Sequence, residues 1–185
     1  MKKIIWIVLL LWWVLFSWYQ YKIRNSNANP IDSRAVVFDS GSTISDADLK
    51  QYEIENKASQ IQSQKDEEQM KKQIVEPIAE WTFNKLDAIH RAWWWVTIKK
   101  STEDVFIEFA DNFTVANGPD LFVILSNGKT VSEIKNGTLI QLGALTQKKW
   151  KQVYKVSNAE WESTKWSISI WCRAFDVYFS IAVLK

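Results

Sequence analysis

The chain has 185 residues, enough for one ordinary domain with additional segments. Its 23 basic and 21 acidic residues nearly balance, so the charge gives no reason to expect a nucleic-acid partner. The single cysteine, Cys172, and the single histidine, His90, exclude an intrachain disulfide, a CxxC redox pair, a CxxCH haem attachment and a cysteine-rich zinc site.

The N-terminal segment, residues 1–24, has the features of a membrane signal. An uncharged apolar stretch at residues 4–19 lies between two pairs of basic residues and is slightly shorter than the ~20 residues of a spanning helix. A cleaved signal peptide and a retained signal anchor are both compatible with it, and the lack of a small-x-small cleavage motif favours retention. We therefore expect a transmembrane helix that anchors the protein, with the longer C-terminal part outside the cytoplasm, at the cell surface or in the periplasm.

Residues 25–77 predict a linker followed by a polar helix. The linker is rich in Asn, Ser, Gly and Pro, and Ser45 with Asp48 then resembles a capping box at a helix start. Residues 46–76 are rich in Lys, Glu, Gln, Asp and Ala, and Pro77 closes this run. Apolar residues are too sparse here for a sustained coiled-coil seam, so we expect a solvated helical spacer, with a weak coiled-coil pairing as the alternative.

Residues 78–185 predict a single all-β domain. Apolar and polar residues alternate in several short stretches, which is typical of half-buried strands. The apolar members of these stretches are Val96, Ile98, Val105, Ile107, Phe109, Leu121, Val123, Leu125, Val153, Ile168 and Ile170. Asn-Gly pairs at 117, 127 and 136 supply turn signals, and no amphipathic helix pattern competes. We expect an antiparallel β-sandwich or a partly closed barrel around one core.

Three stretches of this domain, in order from about residue 80 to residue 184, match motifs of a known family. They are Trp81-Thr82-Phe83 followed by His90 to Ile98; Asn117 to Ser126, close to NGPDL-x-V-x-LS; and Leu142 to Tyr154 with Ile170 to Phe175, close to LG-x-L…Y and IWC-x-x-F. Together they resemble the DM-thirteen family of electron-transfer domains. Members of that family occur in bacteria and beside DOMON domains in surface proteins of animals and plants.

The resemblance implies a role for Cys172 in electron transfer, either as a free thiol or as a ligand to a prosthetic group such as haem. His90 matches the family's histidine and is a candidate second ligand, and a redox partner protein is implied. On the residues alone, Cys172 has the same strand parity as Ile168 and Ile170, which predicts burial. The following Arg173 could lower the thiol pKa if the two side chains approach. A buried structural cysteine in a non-catalytic adhesion or ligand-binding domain is the alternative.

Other catalytic interpretations have little support. Asp120, in the Asn-Gly-Pro-Asp motif, is predicted to be a turn residue. One histidine leaves no basis for a Ser-His-Asp set, and no paired carboxylates or phosphate-binding Gly-rich loop stand out. We expect a redox module rather than a stand-alone enzyme.

The chain has 12 tryptophans and only 5 glycines, although average usage would give roughly 13 glycines. Trp12 and Trp13 lie in the middle of the apolar stretch rather than at its ends, where tryptophan is favoured. Trp81, Trp94 and Trp150 stand where the resembled family has glycine. One interpretation is that many of these tryptophan positions are encoded by UGA codons, which the cell reads as glycine. The other is a genuine Trp-rich surface for aromatic stacking or membrane contact.

Overall fold

A computed structural model describes residues 44–183 of the chain. In chain order the elements are α1 (Asp46–Lys72), β1 (Glu76–Lys85), β2 (Ala92–Trp93), β3 (Trp95–Lys100), β4 (Asp104–Phe109), β5 (Thr114–Val115), β6 (Leu121–Ser126), α2 (Val131–Asn136), β7 (Leu139–Ala144), β8 (Val153–Ser157), α3 (Asn158–Thr164), β9 (Ser167–Cys172), a 3-10 turn (Arg173–Phe175) and β10 (Val177–Val183). None of the helices in this range is long and apolar enough to cross a membrane. The predicted anchor at residues 4–19 lies outside the described residues.

Eight of the described strands form one antiparallel sheet that curls into a nearly closed barrel. Its strand order is β7-β6-β9-β10-β1-β3-β4-β8, and the edge strands β7 and β8 come back close to each other. At this junction the Tyr154 hydroxyl of β8 donates to the carbonyl of Ala144 of β7 at 3.2 Å. The all-β prediction is confirmed, and of the two predicted architectures the structure has the partly closed barrel.

Alternating apolar residues fill the interior of this barrel, as a side-chain period of two requires. Val96 lies opposite Phe109, and Ile98 lies opposite Ile107, so neighbouring strands place apolar side chains on the same face. All four are fully buried in the main core cluster. Strand β6 is buried along its whole length, because Tyr52 of α1 helps to cover its outer face.

Two short helices interrupt the strands where the sequence predicted none. Helix α2 follows Thr130, whose hydroxyl accepts the N–H of Glu133, and α3 follows Ser157, which forms a capping box with Glu160. The Ser157-x-x-Glu160 pattern is a readable start signal. The helices have only 6 and 7 residues, too few to show a periodic apolar face, so the lack of an amphipathic helix pattern in the sequence did not exclude them.

Helix α1 is present as predicted, but it is not a solvated spacer. Ser45 and Asp48 form the predicted reciprocal capping box, and the helix ends at Lys72 rather than at residue 76. One face of α1 lies on the edge strands β7 and β8 and is buried there. The helix therefore packs on the barrel along most of its length.

Polar side chains of α1 satisfy the open edge of β8. Ser63 Oγ accepts the N–H of Val153 at 2.9 Å, and Asp66 Oδ2 accepts the N–H of Lys155 at 3.2 Å. The N–H groups of an edge strand have no partner in their own sheet, and buried ones need an acceptor. The polar character of α1 follows from this requirement.

The same helix satisfies the open edge beside β7. Ser59 Oγ accepts the N–H of Ala144 at 3.0 Å, and Asn56 Nδ2 donates to the carbonyl of Leu145 at 2.7 Å. Gly143 makes this approach possible, because its φ is +145° and a Cβ there would lie 2.8 Å from Ser59 Oγ. Helix α1 thus closes the seam between β7 and β8 through hydrogen bonds.

We expect Ser63→Ala to destabilise the fold by about 1–3 kcal/mol, because the buried N–H of Val153 then loses its acceptor. Urea unfolding measures the change. Gln64→Ala, on the exposed side of the same turn, is the control and should change the free energy of unfolding by less than about 0.5 kcal/mol. Equal stabilities of the two variants would contradict a role for α1 in closing the seam.

Candidate functional site

One end of the barrel gathers the residues that the sequence singled out. Strands β1, β4, β7 and β9 end there, and β3, β6, β8 and β10 begin there. The connecting segments at this end are 86–91, 110–120, 145–152 and 173–176. The first turns of α1 lie beside them, through Glu55 and Asn56. Cys172 and His90 both belong to this end of the barrel, which we call the site end.

Cys172 ends β9, and its side chain lies inside the core with 0 % exposed. This agrees with the burial that its parity with Ile170 predicted. Burial raises the pKa of the Cys172 thiol, and the backbone N–H groups of Phe175, Asp120 and Ala174 only partly offset this by favouring the thiolate. The thiol is therefore neutral and unreactive at neutral pH in this packing.

Arg173, the next residue, is engaged elsewhere. Its Nε donates to Asp120 Oδ2 at 2.9 Å, and its Nη2 lies 3.3 Å from Asp120 Oδ1 and 2.9 Å from Glu55 Oε2 of α1. The guanidinium also lies over the ring of Phe122, 4.4 Å from its centroid. The expectation that Arg173 could lower the thiol pKa is not met, because its charge is directed at two carboxylates and the thiol pKa is raised.

The Asn-Gly-Pro-Asp motif does more than turn the chain. Asp120 is only 7 % exposed, and burial raises the pKa of its carboxyl against the opposing effect of Arg173. The Asp120 carbonyl also accepts the N–H of Arg173 at 2.9 Å. Gly118 packs so closely that a Cβ there would lie 2.6 Å from Leu121 and 3.0 Å from Phe179. The motif therefore holds Arg173 and fills the site end.

His90 is held by a turn built on Asp87. The Asp87 carboxylate accepts the N–H groups of Ile89 at 2.7 Å and of His90 at 2.6 Å, and it contacts His90 Nδ1 at 2.5 Å. These hydrogen bonds, the one to the His90 ring first, lower the pKa of Asp87 to about 2. A carboxylate on one ring nitrogen is how many metal-ligating histidines are oriented.

Phe179 links the two candidate ligands. Its ring packs edge-on against His90, with 4.9 Å between the centroids, and it belongs to the same core cluster as Cys172. Haem iron could reach the thiol sulfur only if surrounding side chains moved, because Cys172 is fully buried. Across residues 44–183, no group of three or more His, Cys, Asp or Glu side chains is arranged to hold a metal ion. The residues present fit a buried thiol better than a haem ligand.

Two residues of α1 at the site end were not singled out by the sequence. Tyr52 packs edge-on against Phe122, with 6.1 Å between the centroids, and burial raises the pKa of its hydroxyl. Glu55 pairs with Arg173. Both contacts join residues far apart in the chain, so no local pattern could have shown them.

Residues 44–183 thus form a small β-domain, which is a nearly closed antiparallel barrel with a buried thiol at one end. Within these residues there is no disulfide and no metal cluster. The family model described as "Electron transfer DM13" matches residues 93–184, and these residues form a domain of that family. The match confirms the resemblance in the sequence and includes Cys172, whereas His90 lies just before it. Searches of curated proteins and of solved structures found no match.

We expect Arg173→Gln to destabilise the protein by about 1–3 kcal/mol, because the buried Asp120 carboxylate loses its charged partner. The lower part of that range is expected, since the Arg173 side chain is 34 % exposed and partly screened by water. Lys165→Gln, which removes a surface pair with Glu162, is the control and should change stability little. Similar effects of the two substitutions would contradict a structural role for the Asp120–Arg173 pair.

The raised thiol pKa of Cys172 predicts a pH dependence of stability. The folded state holds the thiol proton more tightly than the unfolded chain, so this contribution is fully present below the ordinary thiol pKa of 9.0 and is lost as the pH rises through the higher folded value. The free energy of unfolding should therefore fall more steeply above that pH for the natural protein than for Cys172→Ala. Parallel pH profiles of the two proteins would contradict a raised thiol pKa.

Proposed function

We propose that this protein is an electron-transfer module whose reactive group is the thiol of Cys172. The observation that carries the proposal is the position of Cys172. It lies within the residues that match the electron-transfer family, at the end of the barrel where the Asn-Gly-Pro-Asp motif and His90 also lie. Three backbone N–H groups favour its thiolate and would stabilise that form once the proton has left.

A lone thiol exchanges electrons by forming a disulfide with another molecule. After losing its proton, the Cys172 thiolate would attack one sulfur of a disulfide in a redox partner protein. A mixed disulfide forms, and the other sulfur of the partner leaves as a thiolate and takes up a proton. A thiolate of a second, dithiol-bearing partner protein then attacks the Cys172 sulfur and releases the first partner with both of its cysteines reduced. The other thiolate of the second partner displaces Cys172 from the new mixed disulfide, so two electrons pass from the dithiol to the disulfide and Cys172 returns to its reduced form. Because Cys172 is fully buried, this exchange requires the site end to open.

A haem-linked form of the same function uses the same two residues. Cys172 as a thiolate and His90 through Nε2 would hold the haem, which would supply a one-electron couple. The hydrogen bond between Asp87 and His90 Nδ1 favours this use of His90, whereas the burial of Cys172 opposes it.

The proposed setting is the outer face of a membrane. The apolar stretch at residues 4–19 would act as a retained anchor and keep the module at the cell surface or in the periplasm. An unpaired thiol is exposed to oxidants in such a compartment. Burial of Cys172 would protect the thiol between reactions.

A non-catalytic adhesion or ligand-binding domain is the second candidate. The complete burial and the raised pKa of Cys172 favour it, because both are typical of a cysteine that only packs. In that case the site end would bind its ligand without using the thiol.

We would test the proposal on the full chain in detergent, by thiol alkylation in native buffer and in urea and by absorption spectra with and without added haem. Alkylation of Cys172 under native conditions at a rate above that of global unfolding supports the thiol mechanism. A Soret band that shifts or disappears in Cys172→Ser and in His90→Ala supports the haem form. Alkylation only in urea, with no haem spectrum, overturns the electron-transfer proposal and supports the second candidate.

A further inference from the structure

Two tryptophans have a backbone conformation that is ordinary for glycine and unfavourable for tryptophan. The φ angle is +83° at Trp94 and +81° at Trp150. Within residues 44–183, Asp176 at +50° is the only other residue besides glycine with a positive φ, and aspartate tolerates that region. For a residue as bulky as tryptophan a positive φ is a genuine outlier. Glycine adopts it without steric cost.

At both positions the fold uses the backbone. The carbonyl of Trp94 accepts the N–H of Phe83 at 3.1 Å, and the N–H of Trp150 donates to the carbonyl of Phe113 at 3.0 Å. These bonds connect β1 and the segment before β5 to the neighbouring segments, so the chain must pass through these two points with this geometry. The backbone at both positions thus takes part in the hydrogen bonding of the barrel while its φ is positive.

The side chains at the same positions lie outside the core, with that of Trp94 half-buried and that of Trp150 exposed. Trp150 is 64 % exposed, and it lies between Lys149 and Lys151. The Trp94 ring has an edge contact with the neighbouring Trp95, with 5.8 Å between the centroids. A glycine-like backbone angle at a position whose side chain lies outside the core is the pattern expected of a glycine position.

Another tryptophan shows the opposite pattern. Trp161 is 4 % exposed and stacks on Trp81 with 5.6 Å between the ring centroids. Its indole thus fills space in the core, and its φ is not positive. The fold therefore uses the side chain at position 161, whereas at positions 94 and 150 it uses a backbone with positive φ.

We infer that positions 94 and 150 are glycines in the natural protein, encoded by UGA codons that its cell reads as glycine. When such UGA codons are translated as tryptophan, the sequence gains tryptophans and loses glycines, and the chain has 12 tryptophans and only 5 glycines. The inference is independent of the electron-transfer proposal, because it rests on backbone angles and composition.

The inference changes the surface of the site end. Trp150 lies in segment 145–152, two residues after Lys148, whose ammonium pKa is lowered by desolvation and raised in part by Cys172. A glycine at 150 removes an exposed indole from this rim. The aromatic groups at 94 and 150 are then no stacking or membrane-contact surface.

The codons and the natural protein test the inference directly. We expect UGA at codons 94 and 150, and peptides of the protein purified from its own cells should have the masses of glycine at both positions. UGG at either codon, or peptide masses that contain tryptophan, overturns it.

Stability tests the same inference without the natural source. In the protein produced with tryptophan at every position, Trp94→Gly and Trp150→Gly should each raise Tm by roughly 2–4 °C, because each relieves an unfavourable φ. Trp161→Gly is the matched control and should lower Tm, because it removes a buried indole and places glycine in a helix. An unchanged or lower Tm for Trp94→Gly and Trp150→Gly overturns the inference.

Discussion

The barrel depends on hydrogen bonds between the side chains of α1 and the backbone of its two edge strands. A sheet of eight strands that stops just short of closure leaves two rows of N–H and C=O groups facing each other. Ser59 and Ser63 reach into this seam and satisfy groups on both sides of it. A purely apolar helix could cover the seam but would leave these backbone groups unpaired. The polar composition of α1 is thus the composition that the seam requires.

The same helix connects the seam to the site end. Its first turns carry Glu55, which pairs with Arg173, and Arg173 in turn holds the buried Asp120. Arg173 directly follows Cys172, so the position of α1 and the packing around the thiol depend on each other. This connection gives the family's Asp-containing motif a physical role, which is to hold a charge that also binds the helix.

The strands could be predicted from the sequence, and the contacts of α1 could not. A period of two on β3, β4 and β9 is a local signal, and the structure has strands there with the apolar residues of that pattern in the core. The capping box at Ser45 is equally local and was read correctly. The seam contacts join positions 85 to 90 residues apart, so the sparse apolar pattern of α1 was interpreted as solvation when its polar groups are in fact bound to backbone.

At the site end, too, the sequence predicted some features and not others. Burial of Cys172 follows from strand parity, and the matching motifs indicated the family. The electrostatic surroundings of Cys172 did not follow from the sequence. Arg173 is the next residue in the chain, but the fold directs the charge of Arg173 to Asp120 and Glu55. Charge effects depend on distances in three dimensions, which one sequence does not contain.

The order in which the chain leaves the ribosome gives the seam a further consequence. Helix α1 emerges before every strand of the barrel, but the strands it must bind, β7 and β8, follow only after most of the barrel has been made. Until β7 and β8 are made, α1 lacks the strands that it binds. Once made, these edge strands can pair with other chains before α1 covers them. A protein shortened to begin at β1 would keep those edges open permanently. Such a truncation is expected to aggregate through strand addition even though it retains every strand of the barrel.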